Sequence, residues 1–572
     1  MHLIPKVKQQ EIKKGYLKYK AVKYDKSIYD YRILNALEKL PFDDNGAGLT
    51  IEIIGDSGEG YELWIREDVI EIKADGLAGA FYGIQTLRQA FVNEKIPCVY
   101  IKDEPDFRYR GFYHDITRGK VPKVETIKKM IDKMAYFKMN ALQLYVEHTY
   151  EFEEYRDLNE KTGFLTGEEL RELDAYCKAN FISFEPSLST FGHLFELLNQ
   201  EKYKHLRVRK EAQFIYNFWA NRMCHHTIDP LQEESIELVK SLIDQFDVNF
   251  TADYFNICGD ETFDLKNYPD QSIDTGRLYI DFVKKIVEHL QSKDKKVMMW
   301  ADILLEHPEI IEELPEDVCL LNWEYSELPE EERIRKIAAL GRQQIVCPGI
   351  QAWNRFCERI SSAEKNISNM AEFGRKYGAI GLLNTNWGDW GHQNSIELSM
   401  YGLTLGAAKS WNIDMAIDEV YYDALNTLLY EHEQGVQMVK IVSDMQYKIH
   451  WTHLVMLYYQ MRYGEPMAYA SGEMTKEIVL QLQQELKHLR ELLEDVTWKN
   501  DEFRQELLLA AEGTCIVAEL QAMLQGNSVK RITNTEAWLS KFSKKWLQKN
   551  KRSEVHELEK FFKNCEEYAQ SI

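Results

Sequence analysis

The spacing of apolar residues changes character twice along the chain. Up to residue 105, Tyr61-Glu-Leu-Trp-Ile65 and Val69-Ile-Glu-Ile-Lys-Ala74 alternate apolar and polar positions, which predicts half-buried strands. The chain then turns around Gly76 and Gly79, and Phe81, Ile84, Leu87 and Phe91 follow at helical spacing. Strands followed by a helix packed on one face predict a small α+β domain over 1–105.

From 106 to 411 short apolar runs alternate with amphipathic segments about eight times. The predicted strands are 109–116, 141–147, 181–187, 254–260, 296–302, 318–325, 344–350 and 379–387, with helices such as 124–137, 167–178, 235–246 and 278–291 between them. Continuous apolar runs are the mark of parallel strands buried on both faces. Eight repeats over this length predict an α/β fold, a closed (β/α)₈ (TIM) barrel rather than an open sheet. Beyond Trp411 the strand signals stop. Leu482, Leu486, Leu489, Leu493 and Val496 step by four and three, and 507–523 is strongly apolar, so 412–572 reads as an α-helical C-terminal domain. Its leucines are core residues. Burial alone fits either a domain that completes the packing of the barrel or one that pairs two subunits into a homodimer.

Composition narrows the function. The 572 residues are 45% hydrophobic and 28% charged, a soluble globular balance, and the net charge of −22 opposes nucleic-acid and membrane-surface roles. The one basic patch, 541–552 with Lys544, Lys545, Lys549 and Lys551, reads as the solvated face of a terminal helix. No window resembles a membrane-spanning helix, and 1–20 holds no apolar run suited to a signal peptide. Nine cysteines without CxxC spacing indicate reduced thiols, so the expected location is cytoplasmic. The sequons at Asn249 and Asn366 are then chance matches. Cys224-His225-His226 is the densest group of metal-ligand types, but adjacent side chains do not easily reach one ion and no HxH or HExxH accompanies them, so no metal or other cofactor is expected.

In such a barrel the chemistry collects where strands end. Polar and aromatic residues stand at all eight ends: Arg110 and Asp115, Glu147-His148, His193, Asp260-Glu261, Trp300 with Asp302, Trp323-Glu324-Tyr325, Trp353-Asn354, and Trp387 with Asp389 and Trp390. Tryptophans close four successive strands, five to eight. Indole faces match the C–H faces of a pyranose, and the carboxylates, Arg and His beside them suit its hydroxyls. Asp260-Glu261 leaves an apolar run through Gly259. Two adjacent carboxylates repel, which raises one pKa and prepares a general acid.

Asn256-Ile-Cys-Gly-Asp260-Glu261 resembles the catalytic motif of glycoside hydrolase family 20, the β-N-acetylhexosaminidases. Glu59-Gly-Tyr-Glu-Leu and Gly79-Ala-Phe-Tyr-Gly-Ile-Gln-Thr-Leu resemble the small N-terminal domain of that family, and Arg110-Gly-Phe-Tyr-His-Asp115-Ile-Thr-Arg118 its first barrel strand. The likeness covers roughly 50–410. Glu147-His-Thr-Tyr, Trp387-Gly-Asp389 and the helical C-terminal domain look most like an intracellular branch that holds streptococcal exo-hexosaminidases and vertebrate hexosaminidase D.

The resemblance implies an exo-acting enzyme that removes terminal β-linked GlcNAc or GalNAc from an oligosaccharide or glycoconjugate. It implies retaining, substrate-assisted hydrolysis through an oxazolinium ion, without a protein nucleophile. Glu261 would be the acid and base, and Asp260 would orient the acetamido N–H. Arg110 would bond O3 and O4, and Asp389 would bond O4 or O6. Trp300, Trp323 and Trp387 would box the sugar, and His193 would support the acid. The tyrosine this family places after strand seven is replaced by Trp353, with Tyr325 the other candidate to hold the acetamido carbonyl. Glu147 suits an ion pair as well as a sugar hydroxyl. Two alternatives stand beside this reading: another barrel glycosidase with a two-carboxylate mechanism (Glu147, Asp302 or Glu324 as second carboxylate), or an inactive sugar-binding barrel.

Overall fold

In the computed structural model, described for all residues except 28, 159–162, 212–214, 223–225, 271, 468–471 and 495–497, fourteen strands fall into two sheets. The first six are β1 (Gln9–Tyr16), β2 (Val22–Lys23), β3 (Ala47–Ile53), β4 (Tyr61–Ile65), β5 (Val69–Ala74) and β6 (Pro97–Asp103), side by side in the order β1-β6-β4-β5-β3-β2. The alternation in β4 and β5 has its predicted effect: Leu63, Ile65, Ile70 and Ile72 are buried on one face, beneath the helix Leu77–Phe91.

The other eight close the barrel: β7 (Tyr109–Asp115), β8 (Ala141–Val146), β9 (Ser183–Leu188), β10 (Tyr254–Asn256), β11 (Lys296–Trp300), β12 (Cys319–Trp323), β13 (Gln344–Cys347) and β14 (Gly381–Asn386), with β14 paired in parallel to β7. Each lies within a predicted strand or within a residue of it. The fourth is shorter than predicted: regular pairing ends at Asn256, Ile257 N–H and Cys258 C=O still bond β11 at 2.9 Å, and the chain then runs to Glu261 as a loop. Inside the barrel Tyr109, Tyr113, Met298, Leu321, Ile345 and Leu383 pack together. Glu185 also lies in this interior, where it accepts from Tyr109 Oη at 2.7 Å and Gln143 Nε2 at 2.8 Å, and burial pushes its carboxyl up to about 7.

Period two along β7 decides the place of Arg110. Tyr109 and Tyr113 face the barrel interior, so Arg110 and Phe112 face outward. Arg110 is fully buried at the beginning of the strand, where its guanidinium donates to both oxygens of Glu59 at 2.8 Å and to Tyr82 Oη at 2.9 Å. The expectation that it bonds sugar hydroxyls is therefore wrong. It holds the N-terminal sheet to the end of the barrel away from the strand exits.

From Glu419 onward the described chain is helical, with Asp501–Leu524 packed among Gly435–Met445, Trp451–Tyr463, Thr535–Lys549 and Val555–Ser571. Contrary to the sequence reading, this central helix is long and apolar enough to cross a membrane. However, 89% of its apolar window is buried within the protein. Val496 lies outside the described residues, whereas Leu482, Leu486, Leu489 and Leu493 are buried as predicted.

The basic patch is not simply a solvated face. Lys549 meets Glu397 at 2.8 Å and Glu506 at 2.5 Å, and Lys551 meets Glu169 at 2.6 Å, so these two lysines tie the helices to the barrel. Both sequon asparagines are buried, and Asn366 donates to the carbonyls of Glu324 and Ser326. The eight described cysteines are free and buried.

Candidate active site

A cavity of about 270 Å³ opens where the strands end. That is just below the roughly 300–1,000 Å³ typical of ligand pockets, a size suited to one sugar ring. It gathers every predicted site residue except Arg110: Glu147, His193, Asp260, Glu261, Trp300, Trp323, Tyr325, Trp353, Trp387 and Asp389. Arg118, Trp219, Arg222 and Trp390 join them.

The aromatic wall is built from successive strand exits. Trp300 and Trp387 lie 5.9 Å apart at 50°, both against Tyr113, while Trp323 stacks on Tyr325 at 5.2 Å and Tyr325 meets Trp353 at 5.2 Å. Trp387 Nε1 donates to Tyr325 Oη at 2.7 Å, which leaves that hydroxyl its own proton to donate. Gly349 makes room for this wall. A Cβ there would stand 2.9 Å from Tyr325 Cδ1 and 3.0 Å from Trp353 Cζ3.

On the polar side His193 Nε2 lies 3.3 Å from Asp260 Oδ2 and 3.4 Å from Glu261 Oε2. A ring nitrogen of His193 and one carboxylate oxygen each of Asp260 and Glu261 lie within 4.8 Å of one another, a spacing that an imidazolium between two carboxylates satisfies. Burial works to lower His193, but the charges of Asp260 and Glu261 outweigh it and lift the ring to about 10.

For Glu261 burial works upward, yet His193 and Arg118 together hold the carboxyl below its ordinary value. The expected raised member of the adjacent pair is therefore not Glu261. The raised carboxyl is Asp302, pushed up to about 7 by burial and by the charge of Asp260, and its Oδ2 accepts the Glu261 backbone N–H at 3.0 Å.

Arg118, not Arg110, is the arginine of the site. Its Nη1 lies 3.3 Å from Asp389 Oδ1 and its Nε 3.4 Å from Glu147 Oε1, while its guanidinium covers the rings of Tyr145 and Trp387. Glu147 thus takes part in an ion pair, accepts from Tyr145 Oη at 2.8 Å and still lines the cavity. Burial raises Asp389 to about 6 despite Arg118. His193, Glu261, Asn354 and Asp389 all hold left-handed backbone, φ between 47° and 59°. Such conformations cost roughly 1–2 kcal/mol each in non-glycine residues and are retained where a side chain must be aimed.

The sequence held a signal for Arg118. It lies three residues beyond the end of β7, where barrel chemistry collects, whereas Arg110 is at the strand's start. Trp219 and Arg222 lie in the long connection between β9 and β10, where no periodicity marks them. Cys224 and His225, considered above as metal-ligand types, lie outside the described residues; His226 Nδ1 accepts the backbone N–H of His193 at 3.0 Å.

Comparison with known proteins agrees with this geometry. Residues 107–394 match the model of the glycosyl hydrolase family 20 catalytic domain, and 49–104 match that family's domain 2. A β-hexosaminidase of Porphyromonas gingivalis is 28% identical over 284 residues, 43% of this chain and 36% of the relative. One of Akkermansia muciniphila is 31% identical over 158 residues, 24% of this chain and 32% of the relative. The matches thus span about a third of the length of these relatives.

Among solved structures, the GH20 exo-β-N-acetylglucosaminidase of Vibrio harveyi bound to N-acetylglucosamine superposes with a TM-score of 0.60 at 18% identity, over 77% of this chain and 78% of that one. The Flavobacterium johnsoniae chitobiase superposes with 0.61 at 15% identity, over 98% and 99%. These likenesses show the shared fold.

Proposed function

The chain belongs to glycosyl hydrolase family 20, and from that premise we propose that it is an exo-acting β-N-acetylhexosaminidase that removes one terminal β-linked GlcNAc or GalNAc by substrate-assisted hydrolysis. The observation that carries the reading is the aromatic box of Trp300, Trp387 and Tyr325 beside the Asp260–His193–Glu261 cluster in a cavity of single-sugar size.

In the first step the acetamido oxygen of the substrate attacks the anomeric carbon. The glycosidic C–O bond breaks, and the leaving oxygen takes a proton from Glu261. Asp260 accepts the acetamido N–H and stabilises the positive charge of the oxazolinium ion. Tyr325 donates to the acetamido carbonyl, since Trp387 fixes its hydroxyl at the box. In the second step water attacks the anomeric carbon and gives its proton to Glu261, and the acetamido group is released unchanged. Arg118 bonds the ring hydroxyls O3 and O4, the part the sequence assigned to Arg110, and Asp389 bonds O4 or O6.

In the free enzyme His193 stores the proton. A bound sugar desolvates the Glu261 carboxylate, which raises its affinity for a proton, and His193 Nε2, 3.4 Å away, turns into line to pass it on. The free thiols of the eight described cysteines support placement in a reducing compartment, the cytoplasm.

The test is hydrolysis of 4-nitrophenyl β-GlcNAc, β-GalNAc and β-glucoside by the wild type and Glu261→Gln. Release from acetamido sugars alone, lost in the variant, is the expected result. Equal cleavage of the glucoside refutes substrate assistance, and binding of GlcNAc without turnover refutes an enzyme.

A further inference from the structure

A second cavity, of about 580 Å³, lies where the three parts of the chain meet, and it shares no residue with the catalytic one. Arg88 reaches it from the last turn of the helix Leu77–Phe91 in the N-terminal domain, and Lys133 and Tyr136 from the barrel helix Val124–Tyr136. Glu431 and Glu433 reach it from the C-terminal helical domain.

Arg88 and Lys133 are half-buried, yet their charges go unanswered. Arg88 gives one hydrogen bond, from Nη1 to Gln85 Oε1 at 2.6 Å, and its guanidinium lies 5.0 Å from the centre of the Tyr136 ring. Its Nε and Nη2 and the Nζ of Lys133 have no acceptor among the described residues. These nitrogens are not enclosed by protein; they keep surface open to solvent, and the space both side chains border is this cavity. Lys39, on the same wall, is by contrast answered by Asp132 at 2.8 Å.

Taking an ion out of water is costly, so charges inside a fold are ordinarily paired. Burial lowers both groups from their ordinary values. Glu431 and Asp132 attract Lys133 from beyond ion-pair distance, and Arg88 repels it. Two cations from different domains thus face one space and oppose each other there. A bound oxyanion would cancel that repulsion and take up the free N–H groups, and the fork of a guanidinium matches two oxygens of one phosphate.

The wall from the helical domain decides what the anion carries. Glu431 and Glu433 put negative charge on the same cavity, which rejects a long polyanion but accepts the protons of hydroxyl groups. Glu431 stands in left-handed backbone, φ 53°, at the end of the π-helix Asn426–Tyr430, an irregularity common where a helix serves a site. The volume lies within the roughly 300–1,000 Å³ of small-molecule sites. A phosphate monoester of a sugar answers both walls, with its charge toward Arg88 and Lys133 and its hydroxyls toward Glu431 and Glu433.

We propose that this cavity is a binding site for a sugar monophosphate, in which Arg88 and Lys133 hold the phosphate and Glu431 the hydroxyls. The site is separate from the catalytic one and stands whether or not the hexosaminidase reading holds. A ligand there touches all three domains, so it stabilises the folded chain by mass action.

The test is calorimetric titration and thermal unfolding of the full chain with glucose 6-phosphate, inorganic phosphate and glucose, on the wild type, Arg88→Gln, Lys133→Gln and Glu431→Gln. All are measured at one ionic strength, so that general screening is constant. Glucose 6-phosphate is expected to bind saturably and raise Tm, inorganic phosphate to bind at least tenfold more weakly, and glucose to leave Tm unchanged. Arg88→Gln and Lys133→Gln each weaken the ester at least tenfold, whereas Glu431→Gln weakens the ester but not inorganic phosphate. Circular dichroism identifies the folded variants, and Lys133→Gln carries the test alone if Arg88→Gln does not fold. No saturable binding of the ester at millimolar concentration, binding that the variants leave unchanged, or glucose bound as tightly as its phosphate overturns the proposal. Inorganic phosphate bound as tightly as the ester overturns the sugar ester and assigns the cavity to the free ion.

Discussion

Arg110 and Glu59 form a two-pronged ion pair, Nη1 to Oε2 and Nη2 to Oε1 both at 2.8 Å, which joins the N-terminal domain to the barrel at the end opposite the cavity. Removing the arginine leaves Glu59, 21% exposed, without its cation and the Lys138 and Phe107 carbonyls without a donor, a loss of about 1–3 kcal/mol. Arg110→Met is therefore expected to lower the midpoint of urea unfolding strongly, while KM for an acetamido glycoside stays within about twofold of wild type. Arg118→Met differs in its kinetics: KM rises and kcat falls, with a stability loss of its own because the buried carboxylates of Asp115 and Glu147 lose their cation. Activity loss without stability loss in Arg110→Met would return that residue to the site.

Gly349 is the one glycine whose missing side chain shapes the box. In Gly349→Ala the added Cβ forces Tyr325 and Trp353 apart. The expected result is at least a tenfold fall in kcat/KM on β-GlcNAc substrates with an unchanged circular dichroism spectrum. Wild-type kinetics would mean that the aromatic wall yields without consequence.

If His193 stores the proton that Glu261 uses, the pH profile of kcat/KM reports it. His193 is lifted to about 10 and Glu261 is held below its ordinary value, so together they keep one proton across the neutral range. Without the imidazole that proton has only the carboxylates. The basic limb of kcat/KM is expected to move to lower pH in His193→Ala. An unmoved limb excludes the ring as the proton store.

Asp302 links the site to stability, with a definite sign. Its folded pKa, about 7, lies above the ordinary value of 3.8. The folded state thus retains a proton the unfolded state has lost, and the contribution is full below about pH 4 and falls away as pH rises to about 7. The slope is up to ~1.4 kcal/mol per pH unit for one proton. Asp302→Asn keeps an acceptor for the Glu261 N–H but cannot ionise. Its unfolding free energy is expected to fall less than that of wild type between pH 4 and 7. Parallel curves for the two proteins would contradict the assignment.

Much of this architecture was legible in the chain because buried parallel strands require continuous apolar runs, and all eight runs became barrel strands. The site was legible where residues follow a strand exit directly, as Trp300, Trp387 and Asp260-Glu261 do. Arg110 misled because motif membership was weighed above its place at the start of β7, where period two turns it outward. The pKa order misled because adjacency in sequence counts only two carboxylates, whereas the fold inserts His193 between them and brings Asp302 behind. Trp219 and Arg222 were illegible, since their places depend on Trp451, Glu554 and Phe561, more than 200 residues away.

Substrate assistance requires that the acetamido oxygen of the substrate, and no protein group, attack the anomeric carbon. Its most direct test is kcat/KM for 4-nitrophenyl β-GlcNAc glycosides whose acetyl group bears zero, one, two or three fluorines, each fluorine weakening that oxygen as a nucleophile. A steep, monotonic fall across the series is the predicted result. A rate indifferent to fluorination would place the nucleophile on the protein and contradict the account.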